Sequence, residues 1–131
     1  MNPSVFPMGS ELPEEYRKYF IGKAYLEPLT EKGGPIDNVT FSPGCRNNWH
    51  IHHKGEQILL VTGGRGWYQA WGEPAQKLKP GDVVHIPSEV KHWHGAAADS
   101  WFSHLSVSVI VEGASNEWLE EVNDETYNML E

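Results

Sequence analysis

The chain has 131 residues, 39% of them hydrophobic, enough for the core of one compact domain and too few for two. Eighteen acidic against ten basic residues give a formal charge of -8, which argues against a nucleic-acid backbone or an anionic membrane as partner. A lone cysteine, Cys45, excludes an intramolecular disulfide framework, and the lack of a leader-like or long apolar run predicts a soluble, cytoplasmic protein.

Residues 1–22 predict an extended arm followed by a short helix. Pro13 suits a first helical position, Glu14 and Glu15 suit the positive helix end, and Gly22 is the expected stop after Phe20. Residues 23–112 predict short strands between glycine and proline turns: Lys23–Leu29, Asn38–Ser42, Trp49–His52, Gln57–Thr62, Gly66–Trp71, Val83–Ile86, His92–Gly95 and Trp101–Val111. The loop Thr30–Pro35 and the turn Pro80-Gly81-Asp82 punctuate them. Such regular short strands predict an all-β sandwich or barrel. Residues 113–131 predict a C-terminal helical segment, with Trp118, Val122 and Tyr127 at helical intervals and Asn116 and Asp124 as candidate caps.

All seven histidines fall between His50 and His104. Residues two apart on a strand share a face, so His50 and His52 project together, as do His92 and His94. Two imidazoles from one strand and His92 from a neighbour suit a divalent metal ion. His104 shares a face with Phe102, Ser106 and Ser108, and a polar face inside a barrel predicts a cavity. His53 and His85 are expected to be structural or exposed, the tryptophans to supply packing, and Cys45 to have no chemical role.

The run Gly44, five residues, His50-Ile51-His52, three residues, Glu56, six residues, Gly63 resembles the first motif of the cupin family. Gly81, five residues, Pro87, then His92 resembles the second, with Glu89 in place of a usual glycine and Ala96 in place of a usual asparagine. The resemblance implies a cupin double-stranded β-helix, or jelly-roll barrel, with short terminal helices. Six residues separate Glu56 from Gly63 and likewise Gln57 from Gly64, so counting leaves the fourth ligand open between them. The stretches Gln57–Trp67, Pro80–Val84 and Lys91–Ala97 are similar to small bacterial cupins with hydroxynitrile lyase activity. That similarity implies a metal set of His50, His52, Gln57 and His92, with His94 and His104 in chemistry.

By resemblance the metal is manganese, although iron, nickel, zinc or copper suits the same donors. The implied reaction is cleavage or formation of a cyanohydrin, the metal acting as Lewis acid and a nearby histidine as base. A metal-dependent dioxygenase acting on a small organic substrate and a non-catalytic ligand-binding module are the alternatives. The expected partners are a small-molecule substrate and further copies of the chain, as a homodimer or homotetramer.

Overall fold

The structure is a computed structural model that describes residues 2–31 and 35–130. Its strands are β1 (Ser10–Glu11), β2 (Phe20–Ile21), β3 (Ala24–Thr30), β4 (Ile36–Phe41), β5 (Arg46–Asn47), β6 (His50–Gly64), β7 (Gly66–Ala70), β8 (Gln76–Leu78), β9 (Val83–Ile86), β10 (His92–Ala96) and β11 (Phe102–Trp118). The two short helices are α1 (Glu14–Arg17) and α2 (Asp124–Asn128). The chain is therefore all-β in its main body.

The strands form one curled antiparallel sheet with the path β1-β3-β4-β11-β6-β10-β5-β2; β9 adds to β6, and β7 carries β8 from β10. Two long strands give the curl. The end of β6 from Gly55 to Gly64 pairs with Phe102–Ile110 of β11, while His50–His53 pairs with Ser115–Trp118 after a break in register. Lys54 sits at that break with φ 61°, a left-handed conformation that turns the strand and changes which face its side chains address.

The principal core is the inner apolar face of this curl, built on Phe41, Leu59, Ile86 and Phe102, all fully buried. A second cluster of Trp49, Trp67, Trp93, Val122 and Tyr127 packs the C-terminal segment against the sheet. Arg46 fastens that segment, its guanidinium donating to the Val122 carbonyl and to Asp124, and lying 4.1 Å from the centre of the Tyr127 ring.

Several expectations need correction. The first helix is only Glu14–Arg17, and β2 intervenes before Gly22 because Phe20 pairs with Asn47 instead of continuing the helix. The strands expected separately at 49–52 and 57–62 are one, since the bulge at Lys54 absorbs the interruption. β8 was not anticipated; its Gln-Lys-Leu has little strand character and forms by pairing with β7. Residues 113–118, expected as helix, are strand: Trp118 lies opposite His50 and stacks on Tyr19 at 4.5 Å, contacts of long range that the local spacing does not encode. Among the described residues of this C-terminal segment helix is confined to α2, capped by Asn123, whose side chain accepts from the Thr126 amide at 2.7 Å. Gly33 and Gly34 of the expected loop lie outside the described residues.

Phe102→Ala removes a fully buried ring from the centre of the principal core. It is expected to cost about 3–5 kcal/mol, read from the shift in urea midpoint at unchanged slope.

Candidate metal centre

β6 and β10 meet through one antiparallel pair, His50 opposite His92. Strand alternation then turns His52 and His94 to the same side. One nitrogen from each of His50, His52 and His92 lies within 4.8 Å of the others, a cluster that can hold a metal ion. The ring centres stand 4.2 Å apart for His50 and His92, and 5.1 Å apart for His52 with either partner.

The outer nitrogens are held. His50 Nδ1 donates to the carbonyl of Asn48 at 2.8 Å, and His92 Nδ1 to that of Val90 at 2.9 Å. His52 Nδ1 has the side-chain oxygen of Asn116, at 2.6 Å. A neutral imidazole that donates through Nδ1 presents a lone pair at Nε2, the form a metal requires. His92 Nε2 is buried without a hydrogen-bond partner, and His52 Nε2 faces the Gln57 carboxamide oxygen at 2.9 Å. With Asn116 accepting at Nδ1, both facing atoms carry lone pairs, an opposition that a shared cation resolves. The donor set thus fits a divalent ion.

Burial keeps His50 and His92 neutral. It drives His50 well below its ordinary value, with His92 as a nearby like charge adding to the effect, and takes His92 down to about 4. Glu56 turns the other way: its carboxylate meets His85 Nε2 at 2.7 Å on the exposed side. Gln57 points inward, its amide nitrogen donating to Ser106 at 2.6 Å. His53 lies in the surface between Glu89 and Glu117, at 2.6 and 2.7 Å, and those two carboxylates raise its pKa. Glu89 occupies its glycine-like position at φ 68°, stabilised by accepting the Lys54 amide hydrogen at 2.8 Å. Cys45 is buried, and its thiol is pushed up to about 12 by desolvation, which leaves it inert.

His94 and His104 continue the line of imidazoles inward, 5.1 Å apart between ring centres, with Phe41 against both. Both are buried, and burial lowers both: His94 far below its ordinary value and His104 to about 4. Neither ring nitrogen of His104 has a well-formed hydrogen bond, nor does His94 Nδ1.

His50, His52, Gln57, His94 and His104 line one cavity of about 780 Å³. Ser106 and Ser108 are on its wall, as the alternation in β11 predicts. Apolar lining comes from places that sequence reasoning left unassigned: Leu12, Tyr16 and Phe20 of the N-terminal segment, and Trp118, whose ring lies 4.8 Å from that of His50. Asn47 and Asn116 were likewise missed. No local motif marks them; they reach the histidines through strand pairing.

The cupin domain model matches residues 38–108, and the chain belongs to the cupin family. A curated relative, (R)-mandelonitrile lyase of Granulicella tundricola, is 40% identical over 113 residues, covering 83% of this chain and 86% of the relative. Among solved structures, a cupin-like protein from Thermotoga maritima superposes with a TM-score of 0.86 at 40% identity, covering 96% of each chain. A predicted oxalate decarboxylase from the same organism shares the fold, with a TM-score of 0.70 at 19% identity over 85% of this chain and 100% of that one. Among the described residues, no helix is long and apolar enough to cross a membrane.

The buried histidines make stability depend on pH. Unfolded, His92 and His104 bind protons near their ordinary value of 6.5; folded, they do so only near about 4. Between these values the unfolded chain holds more protons, so stability is full above 6.5 and falls as pH drops toward 4. Urea midpoints of the metal-free protein are expected to fall from pH 7 to pH 5, and to fall less in His104→Phe.

Proposed function

We propose that this cupin is a metal-dependent carbon-carbon lyase that cleaves cyanohydrins to an aldehyde or ketone and hydrogen cyanide, or forms them in reverse. The observation that carries this reading is the placement of two buried imidazoles with unpartnered nitrogens, His94 and His104, beside His50 and His52 in one cavity. Likeness to (R)-mandelonitrile lyase supports it. In this reading His50, His52, His92 and the Gln57 oxygen hold one divalent ion, manganese by preference.

When bound, that ion supplies a Lewis acid that lowers the pKa of a substrate hydroxyl, and the all-neutral donor set leaves its double charge undiminished. The chain supplies the rest. The apolar wall of Leu12, Phe20 and Trp118 receives the substrate's carbon skeleton and displaces water. The imidazole pair handles the hydroxyl proton and the departing cyanide. The low basicity that burial gives both rings keeps them unprotonated at neutral pH and ready to act.

Purified protein is expected to carry about one transition-metal ion per chain and to release hydrogen cyanide from mandelonitrile. His92→Ala is expected to lose the metal and the activity together. His104→Ala is expected to retain the metal and lose cleavage by roughly 10²–10⁴-fold. Stoichiometric metal with oxygen consumption on a small enol, and no cyanohydrin cleavage, would replace this reading with a dioxygenase.

A further inference from the structure

The two imidazoles beside the metal site differ in how the fold holds them, and the difference assigns their roles. Asn47, on β5, is 3% exposed and lies beside β10. Its Oδ1 accepts the backbone amide hydrogen of His94 at 3.0 Å. A backbone N–H can only donate, so this bond fixes which end of the carboxamide is oxygen. The Asn47 amide nitrogen is thereby directed at His94 Nε2, 3.3 Å away. An amide nitrogen likewise can only donate, so Nε2 must be the accepting nitrogen of the ring. In neutral His94 the proton then resides on Nδ1, the nitrogen that is buried and otherwise unpartnered.

The arrangement depends on close strand approach. A Cβ added at Gly95 would lie 2.5 Å from the Cys45 carbonyl oxygen and 2.6 Å from the Arg46 Cα, so only glycine at this position lets β5 ride near enough for Asn47 to reach the ring. His104 has no comparable side-chain partner: its ring lies between Phe41 and Phe102, at 5.8 and 5.6 Å, with the Leu105 backbone beside it, and no side chain fixes its tautomer.

We infer that Asn47 is a positioning residue that locks His94 as its Nδ1–H tautomer, making His94 the hydrogen-bond donor to the departing anion and leaving proton acceptance to His104. The inference rests on the cyanohydrin reading and divides labour within that site. A neutral imidazole does not surrender its last proton to cyanide, so His94 donates a hydrogen bond and keeps its hydrogen. The hydroxyl O–H bond breaks, its proton passing to a ring nitrogen of His104, and the carbonyl forms. The carbon-carbon bond breaks with its electron pair leaving on cyanide. Cyanide takes the proton from His104, and both rings return neutral.

The test is the two-bond proton–nitrogen correlation spectrum of ¹⁵N-histidine-labelled protein loaded with zinc, which is diamagnetic, at a pH where His94 is neutral. Wild type is expected to give the Nδ1–H pattern for His94. Asn47→Asp keeps the acceptor for the backbone amide but presents only oxygen to the ring, and is expected to convert His94 to the Nε2–H pattern. Asn47→Leu, nearly isosteric, is expected to give a mixture. Cleavage by Asn47→Asp is expected to lose roughly tenfold or more in kcat with KM little changed. An Nε2–H pattern in wild type, or an unaltered tautomer in both variants, would overturn the assignment, and the wild-type spectrum decides it even where a variant does not fold. A wild type with the Nδ1–H pattern but no cyanohydrin activity would refute the lyase role while leaving the lock in place.

Discussion

The antiparallel pairing of His50 with His92 is the contact on which the rest of the site depends. It joins the beginning of β6 to the beginning of β10, brings together histidines forty-two positions apart in the chain, and through strand alternation fixes where His52 and His94 point. A slip of one residue in either strand would turn that strand's histidines to the outside. The register is held at both ends: Ile86 of β9 lies opposite Gln57, and Trp118 lies opposite His50 on the far edge. Fold and site are thus one problem here, because the strand order that closes the curl is also what assembles the imidazoles.

Burying four neutral imidazoles is a cost that the fold accepts. A buried ring nitrogen without a partner is destabilising by about 1–3 kcal/mol, and the described structure contains several around this cavity. The outer nitrogens of the triad are each paired, two with backbone carbonyls two residues earlier and one with Asn116. His92 Nε2, His94 Nδ1 and both ring nitrogens of His104 are left unpaired. Buried imidazole nitrogens left without partners are the pattern expected of groups kept for a ligand, and they coincide with apolar lining suited to a small organic molecule.

Much of this was legible in the sequence, for identifiable reasons. The period of two in His50-Ile51-His52 and His92-Trp93-His94 is a property of strands, so the facing of those residues follows directly. Alternation in β11 likewise placed His104, Ser106 and Ser108 on one wall. The Glu56 and Gln57 ambiguity was not legible, because the apolar run after them reads the same on both faces; in the structure Glu56 is taken by His85 on the exposed side. Trp118 was misjudged because helical spacing and strand pairing compete there, and contact with Tyr19, near the other end of the chain, decides the outcome. The asparagines that orient His52 and His94 carry no motif at all. They matter through partners 64 and 47 positions away.

The most direct measurement is a crystal structure of the metal-loaded protein with anomalous scattering collected at the absorption edge of the ion that elemental analysis identifies. The account predicts a single anomalous peak in contact with the Nε2 atoms of His50, His52 and His92 and with the Gln57 oxygen, while Glu56 stays on His85. A peak bound by Glu56 in place of Gln57, or an ion seated away from the three histidines, would contradict it.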